Sequence, residues 1–186
     1  MSTYQRNSGS PFLYDTVTND VAGLKDADGS EIMIPRFYGM FQDNNTQTNA
    51  GATSANVMNF RATSFSKGVS IASNTRITMA NDSVYNIQFS SQFSRAGGTG
   101  FSTVDIWFRK NGVNIDQSNT QQNVPQSGGK AVAAWNLLVS ASAGDYYEIC
   151  WASSDTSLEM WYGAAGTNPT RPEIPSVILT VTQVGG

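Results

Sequence analysis

"NDSVYNIQFSSQFS", residues 81–94, decides the fold class. Tyr85, Ile87, Phe89 and Phe93 fall on one side of a two-residue alternation, with Ser91 as the single gap. Asn86, Gln88, Ser90 and Gln92 fall on the other side. Successive side chains of a strand point to opposite faces, so this period, filled with aromatic and β-branched residues, predicts a half-buried β-strand. The second face carries amides and hydroxyls and no charge. A water-facing strand commonly scatters Lys and Glu there, so what this face meets is the question the sequence raises.

Working outward, nearly every periodic segment repeats every two residues. "FSTVDIWFRK" places Val104, Ile106 and Phe108 on one side, and "KAVAAWNLLVS" places Ala133, Trp135, Leu137 and Val139 there. Tyr147, Ile149 and Trp151 are in phase in "YYEICWAS", as are Val177, Leu179 and Val181 in "SVILTVTQV". "SLEMWYG" reads as a short strand; "PRFYGMFQ", "ANVMNFRAT" and "VSIASNTRITM" read as shorter or edge strands. Asn111–Gly112 is a two-residue hairpin signal, because both residues tolerate positive φ. "RAGGTG" reads as a glycine hairpin, and "SAGD" as a turn into the next strand. Pro169, Pro172 and Pro175 predict an extended loop. Strands at this spacing, with no capped helical repeat, predict an all-β antiparallel sandwich or jelly roll of about ten strands.

The chain has 186 residues, enough for one domain with a short appendage. The expected division is an arm, residues 1–35, and a jelly-roll domain, residues 36–186. Within the arm, "VAGLKDADGSEIMIPR" reads as a β-hairpin: Val21–Leu24, a tight turn through Asp26, Asp28 and Gly29, then residues 31–34. A lone hairpin is marginal in water, so this segment is expected to order against its own domain or a partner.

Composition narrows the functions. Charged residues are 13% of the chain, against about 25% in typical domains. Net charge is −3 with no basic cluster, which leaves nucleic acid and anionic membrane without an electrostatic footprint. No apolar run approaches the ~20 residues that span a bilayer as a helix. The absence of histidine removes Ser-His-Asp and Cys-His catalysis and the commonest zinc ligand. The single cysteine, Cys150, has no disulfide partner in the chain and no imidazole to activate it. "SFSK" at residues 64–67 matches S-x-x-K, but without its companion motifs and in an extended pattern. "DADGSE" is half a calcium loop and reads as a turn. Asp145, Glu148, Asp155, Glu159 and Glu173 show no spacing that pairs two carboxylates for glycoside hydrolysis. No enzyme and no cofactor are expected. Among the tryptophans, Trp135 and Trp151 are in phase with the core and Trp107 is not. Trp161 and Tyr162, near a loop, are read either as packing or as a sugar-stacking platform.

Across about residues 37–184 the order of strands and turns resembles the globular head of the tumour necrosis factor and complement-first-component family. "DSVYNIQFSSQF" is similar to its G-x-Y-x-I/F-x-F strand, with Ser83 where the family has glycine. "VDIWFRKNGVNI" and "KAVAAWNLLVSASAGDYYEICWASSD" resemble its following strands, the latter as a pair, and "SVILTV" resembles its closing strand. "ITMANDSVYNIQFS", "KNGVNI" and "NPTRPEIPSVILTV" also resemble structural proteins of tailed bacteriophages, particularly those of marine cyanobacteria. The stretch "PFLYDTVTNDVAGLKDADGSEIMIPR" resembles attachment segments of phage virion proteins.

The resemblance implies a ten-strand jelly roll that trimerises through the outward face of one sheet. It supplies an answer to the opening question: amides and hydroxyls bond to copies of themselves, whereas like charges around an axis repel. Asn86, Gln88, Ser90 and Gln92 are therefore the expected trimer contacts, the other reading being a face that is simply wet. The expected function is a homotrimeric capsid decoration or cement protein of a phage virion, assembled in the host cytoplasm. Its expected partner is the major capsid protein, gripped through Phe12, Leu13, Tyr14, Leu24, Ile32 and Ile34. The alternative is a tail-fibre or receptor-binding tip that recognises host surface glycan.

Overall fold

The opening stretch folds as a 13-residue strand, Ser83–Arg95. Tyr85, Ile87, Phe89 and Phe93 are each no more than 1% exposed. Ser91, the gap in the pattern, is also fully buried, and its hydroxyl donates to the Ala133 carbonyl at 3.2 Å. A buried hydroxyl is tolerated when it is bonded, so the alternation passes through Ser91 unbroken. The register is strongly held. A one-residue slip would turn all four large side chains into water at about 2 kcal/mol each, comparable with the ~5–15 kcal/mol net stability of a domain.

A computed structural model describes Tyr4–Arg6, Phe12–Asp15, Val21–Leu24 and residues 37–185. The chain divides into two compact units, Met1–Arg36 and Phe37–Gly186. In the first, β1 (Tyr4–Arg6), β2 (Phe12–Asp15) and β3 (Val21–Leu24) form a three-stranded antiparallel sheet in that order. Val21–Leu24 is a strand as expected, but it pairs with Phe12–Asp15. Its expected partner, residues 31–34, lies outside the described residues.

The second unit continues with β4 (Tyr38–Asp43), β5 (Gln47–Thr48), β6 (Asn56–Val57), β7 (Ala62–Lys67), β8 (Val69–Ala72) and β9 (Arg76–Met79). The opening strand is β10, followed by β11 (Ser102–Lys110), β12 (Val113–Asn114), β13 (Thr120–Val124), β14 (Lys130–Ala141) and β15 (Tyr146–Ala152). Then come β16 (Leu158–Met160), β17 (Gly166–Thr167), β18 (Thr170–Arg171) and β19 (Val177–Gly185). One seven-stranded sheet runs β5-β16-β10-β19-β4-β7, with β14 on the free side of β10. The other runs β12-β11-β15-β9-β8, with β13 and β6 attached to β11 and β15. All pairings are antiparallel. The two sheets enclose one apolar core, in which Phe89 meets Phe108 edge to face at 6.0 Å and Phe93 meets Trp151 at 5.6 Å.

Several connections differ from the sequence reading. "RAGGTG" is not a hairpin, because β10 and β11 lie in different sheets. The loop crosses between them, held by Arg95, whose Nη1 donates to the Gly100 carbonyl at 2.9 Å. "SAGD" is likewise a crossover, so β14 and β15 are not a pair. The expected Asn111–Gly112 hairpin turn is present, with φ of 51° and 83°, and joins β11 to β12. β4 is interior to its sheet rather than an edge. The proline-rich segment holds a short β17–β18 pair within its loop.

Candidate functional site

β10 lies between β14 and β19, so each of its outward residues is central to a row that crosses the sheet. Gln88 stands opposite Asn136 and Thr180, and its row continues through Met40 to Phe65. Ser90 stands between Ala134 and Ile178, followed by Gln42 and Ala62. Neither row holds a charge. The Asn86 row runs through Leu138, Thr182 and Tyr38 and reaches its first charge only at Lys67. Gln92 stands beside Val132. The Asn86 carboxamide oxygen accepts from Asn136 Nδ2 at 2.9 Å, and Gln42 Oε1 accepts from Ser64 Oγ at 3.0 Å.

The structure brings the four expected contact residues onto one face. Gln88 is exposed and Asn86, Ser90 and Gln92 are half-buried. Apolar side chains stand out among them: Leu138 is 62% exposed, Phe65 56% and Val132 54%. Tyr38 meets Phe65 edge to face at 6.0 Å. The sequence reading missed these neighbours. A signal was there, since "AVAAWNLLVS" is apolar on both parities, a mark of a strand covered on both sides.

The edge of this face is as open as its surface. Among the described residues β14 pairs only with β10, which leaves one side of a 12-residue strand with unpaired backbone groups. Natural edge strands are blunted by Lys, Pro, bulges or brevity. β14 has a lysine only at its first residue, Lys130, no proline, and register with β10 over its whole length. Chemically, such a face and edge can do one thing well, which is to associate with another protein surface.

The other candidates are dispersed. Trp161 does not offer a free platform, because Lys130 Nζ sits 3.6 Å from its ring centroid. The Tyr162 hydroxyl donates to Glu173 Oε2 at 2.8 Å. Asp145 is ion-paired with Lys110 at 2.7 Å, and hydrogen bonds from Lys110, Asn111 and the Ser142 N–H hold its carboxyl at about 2. Asp155 accepts from Ser102 Oγ and Ser157 Oγ and pairs with Arg95 at 2.6 Å, which keeps it well below the usual carboxylate range. Glu148 faces Arg76 at 3.7 Å, and Glu159 stands in β16 opposite Thr48. Cys150 is buried, and that burial pushes its thiol up to about 11. Ser64 and Lys67 lie on one extended strand rather than a helix, and the Ser64 hydroxyl is engaged with Gln42 Oε1. Among the described residues no group of three or more His, Cys, Asp or Glu could hold a metal ion.

Of the expected attachment residues, Phe12, Leu13 and Tyr14 lie in β2, the middle strand of the first unit's sheet, and Leu24 lies in β3 in register with Phe12. Ile32 and Ile34 fall outside the described residues.

No family model matches the chain, and no curated protein matches it. Among solved structures, the chain is similar to murine APRIL at 8% identity and a TM-score of 0.53, over 80% of this chain and 98% of that one. At that identity the likeness concerns fold alone, and the fold is a β-sandwich of the tumour necrosis factor type.

Proposed function

We propose that the protein is a virion structural component, a homotrimeric jelly-roll ornament of a bacteriophage head. On this reading its N-terminal unit grips the capsid. The observation that carries the reading is the outward face of β14, β10, β19, β4 and β7, which combines uncharged rows with exposed Leu138, Val132 and Phe65 and ends in an open edge. Charges repeated around a symmetry axis repel, so a surface that meets copies of itself is selected against them. An obligate assembly buries about 2,000 Å² or more in total, so the trimer proposal requires most of this face and its edge to be covered. The low charge and the resemblance of the arm to phage attachment segments support a particle as the setting of this association.

The test has two readings. Sedimentation at micromolar concentration should give three times the chain mass; a monomer ends the trimer proposal. The protein should then pellet with undecorated phage heads. Binding to host cells and not to heads would make it a receptor-binding tip instead.

A further inference from the structure

The sheet opposite the assembly face carries a groove of about 470 Å³ on the outward side of β11. Its floor is Trp107 and its walls include Asp105, Asn114, Asp116, Gln117 and Asn119. The geometry points to a binding site for neutral carbohydrate here, beyond the assembly role proposed above.

The Trp107 ring is fixed in place. Its Nε1 donates to Asn114 Oδ1 at 2.9 Å, and the same oxygen accepts from Arg109 Nε at 2.9 Å. The loop that walls the groove is fixed as well. The buried Ser118 hydroxyl accepts from the Phe108 N–H at 3.0 Å and donates to the Ile115 carbonyl at 2.7 Å. Ile115 N–H donates to the Phe108 carbonyl at 2.9 Å. A pre-ordered site loses little entropy on binding.

What remains unspent is hydrogen-bonding capacity beside an aromatic face. Asp105 Oδ1 accepts from Asn119 at 3.2 Å and Gln121 at 3.0 Å, which aims the carboxylate and leaves Oδ2 without a donor among the described residues. Asp116 and Gln117 are exposed and have no side-chain bond among the described residues. A pyranose has an apolar C–H face, which suits an indole ring, and a rim of hydroxyls, which donate to carboxylates and exchange bonds with amides. The groove volume falls within the ~300–1,000 Å³ range of small-molecule sites. Arg109 Cζ lies 5.8 Å from the Trp107 centroid, farther than Lys130 Nζ from Trp161. Asp105 and Asp116 outnumber this one cation, which disfavours sulfated, phosphorylated and sialylated sugars, so the ligand class is neutral.

By contrast, the polar cleft at Gln47, Asn56, Asn59 and Arg61 is internally satisfied. Gln47 bonds to Asp43, Asn59 and Ser176, and Asn56 to Asn49 and the Trp151 carbonyl.

The experiment uses the full chain labelled with ¹⁵N, whose four tryptophans give four indole N–H signals. Trp107→Phe assigns the relevant one. Lactose, maltose and mannobiose are titrated to about 10 mM, above the millimolar Kd of a shallow single-ring site, with sialyllactose as the acidic control. The expected result is a saturable shift of the Trp107 indole with at least one neutral sugar and a weaker response to sialyllactose. Asp105→Ala should weaken binding about tenfold, the scale of one lost charge-assisted hydrogen bond. Asp116→Ala removes a side chain with no partner and should weaken binding while leaving the melting temperature unchanged. The inference is overturned by a silent Trp107 signal throughout, by sialyllactose binding as well as lactose, or by undiminished binding in both aspartate variants.

Discussion

Gln88 is where the assembly proposal can be struck most cleanly. Its side chain points away from Ile87 and Phe89, so a charge placed there does not enter the core, yet a trimer would multiply it by three. Two ammonium groups ~6 Å apart repel by about 3 kcal/mol at an effective dielectric near 20. Gln88→Lys should therefore reduce the particle to monomers by light scattering, with far-ultraviolet dichroism unchanged. On a wet face the same lysine would stay within about 0.5 kcal/mol and alter neither reading. Asp155 makes the complementary point about the fold. Its partner Arg95 is 6% exposed, and Asp155→Asn leaves that guanidinium without its counter-charge, at a cost of about 3 kcal/mol in denaturant melts. Asp155 and Asp145 both titrate below the ordinary 3.8 of a free aspartate, so their contribution is complete above that value. It is lost as pH falls from 3.8 through about 2. Melting temperature should be level near neutrality and decline over that acid window, less steeply in Asp155→Asn. None of this ion pairing was legible from residue types, since Arg95 and Asp155 are brought together only by the packing of a crossover. The alternation around Ser91 was legible in full.

The elements were more legible than their connections. Period two shows which side chains of β10, β11, β14 and β15 face inward, because burial is imposed on the strand residue by residue. It carries no information on which sheet a strand joins. A glycine-rich loop of a few residues serves equally for a tight hairpin or for the ~10 Å step between sheets, and "RAGGTG" and "SAGD" make the step. Asn111–Gly112 was legible because both residues need positive φ, a constraint local to the turn. β14 offers the test at this scale. If its open edge and outward apolar residues are an interface, Val132→Lys with Leu138→Lys should yield a folded monomer that stays soluble. Unaltered mass in that double variant would show that assembly uses another surface.

At the scale of the whole molecule, the two-unit division implies separable tasks. Residues 37–186 should fold alone with the melting temperature of the full chain and keep its oligomeric state, yet no longer pellet with phage heads. Pelleting at full-length levels would assign attachment to the jelly roll. The sequence reading found Val21–Leu24 but paired it with residues 31–34 in place of Phe12–Asp15, although the "NSGSP" cluster before Phe12 is a turn signal. The position of β19 has a further consequence. It follows β10 and β4 in chain order, yet it sits between them, in the interior of its sheet. A ribosome delivers that strand after both of its neighbours. Until then the nascent polypeptide holds β10 and β4 with a gap between them, their backbone groups exposed to any other extended segment. Sheets dominated by such distant pairings fold in about milliseconds to seconds, slow enough for neighbouring chains on a polysome to meet. Translation is thus the stage at which this protein is most open to mispairing, and messages truncated before Val177 should give aggregates rather than a smaller domain.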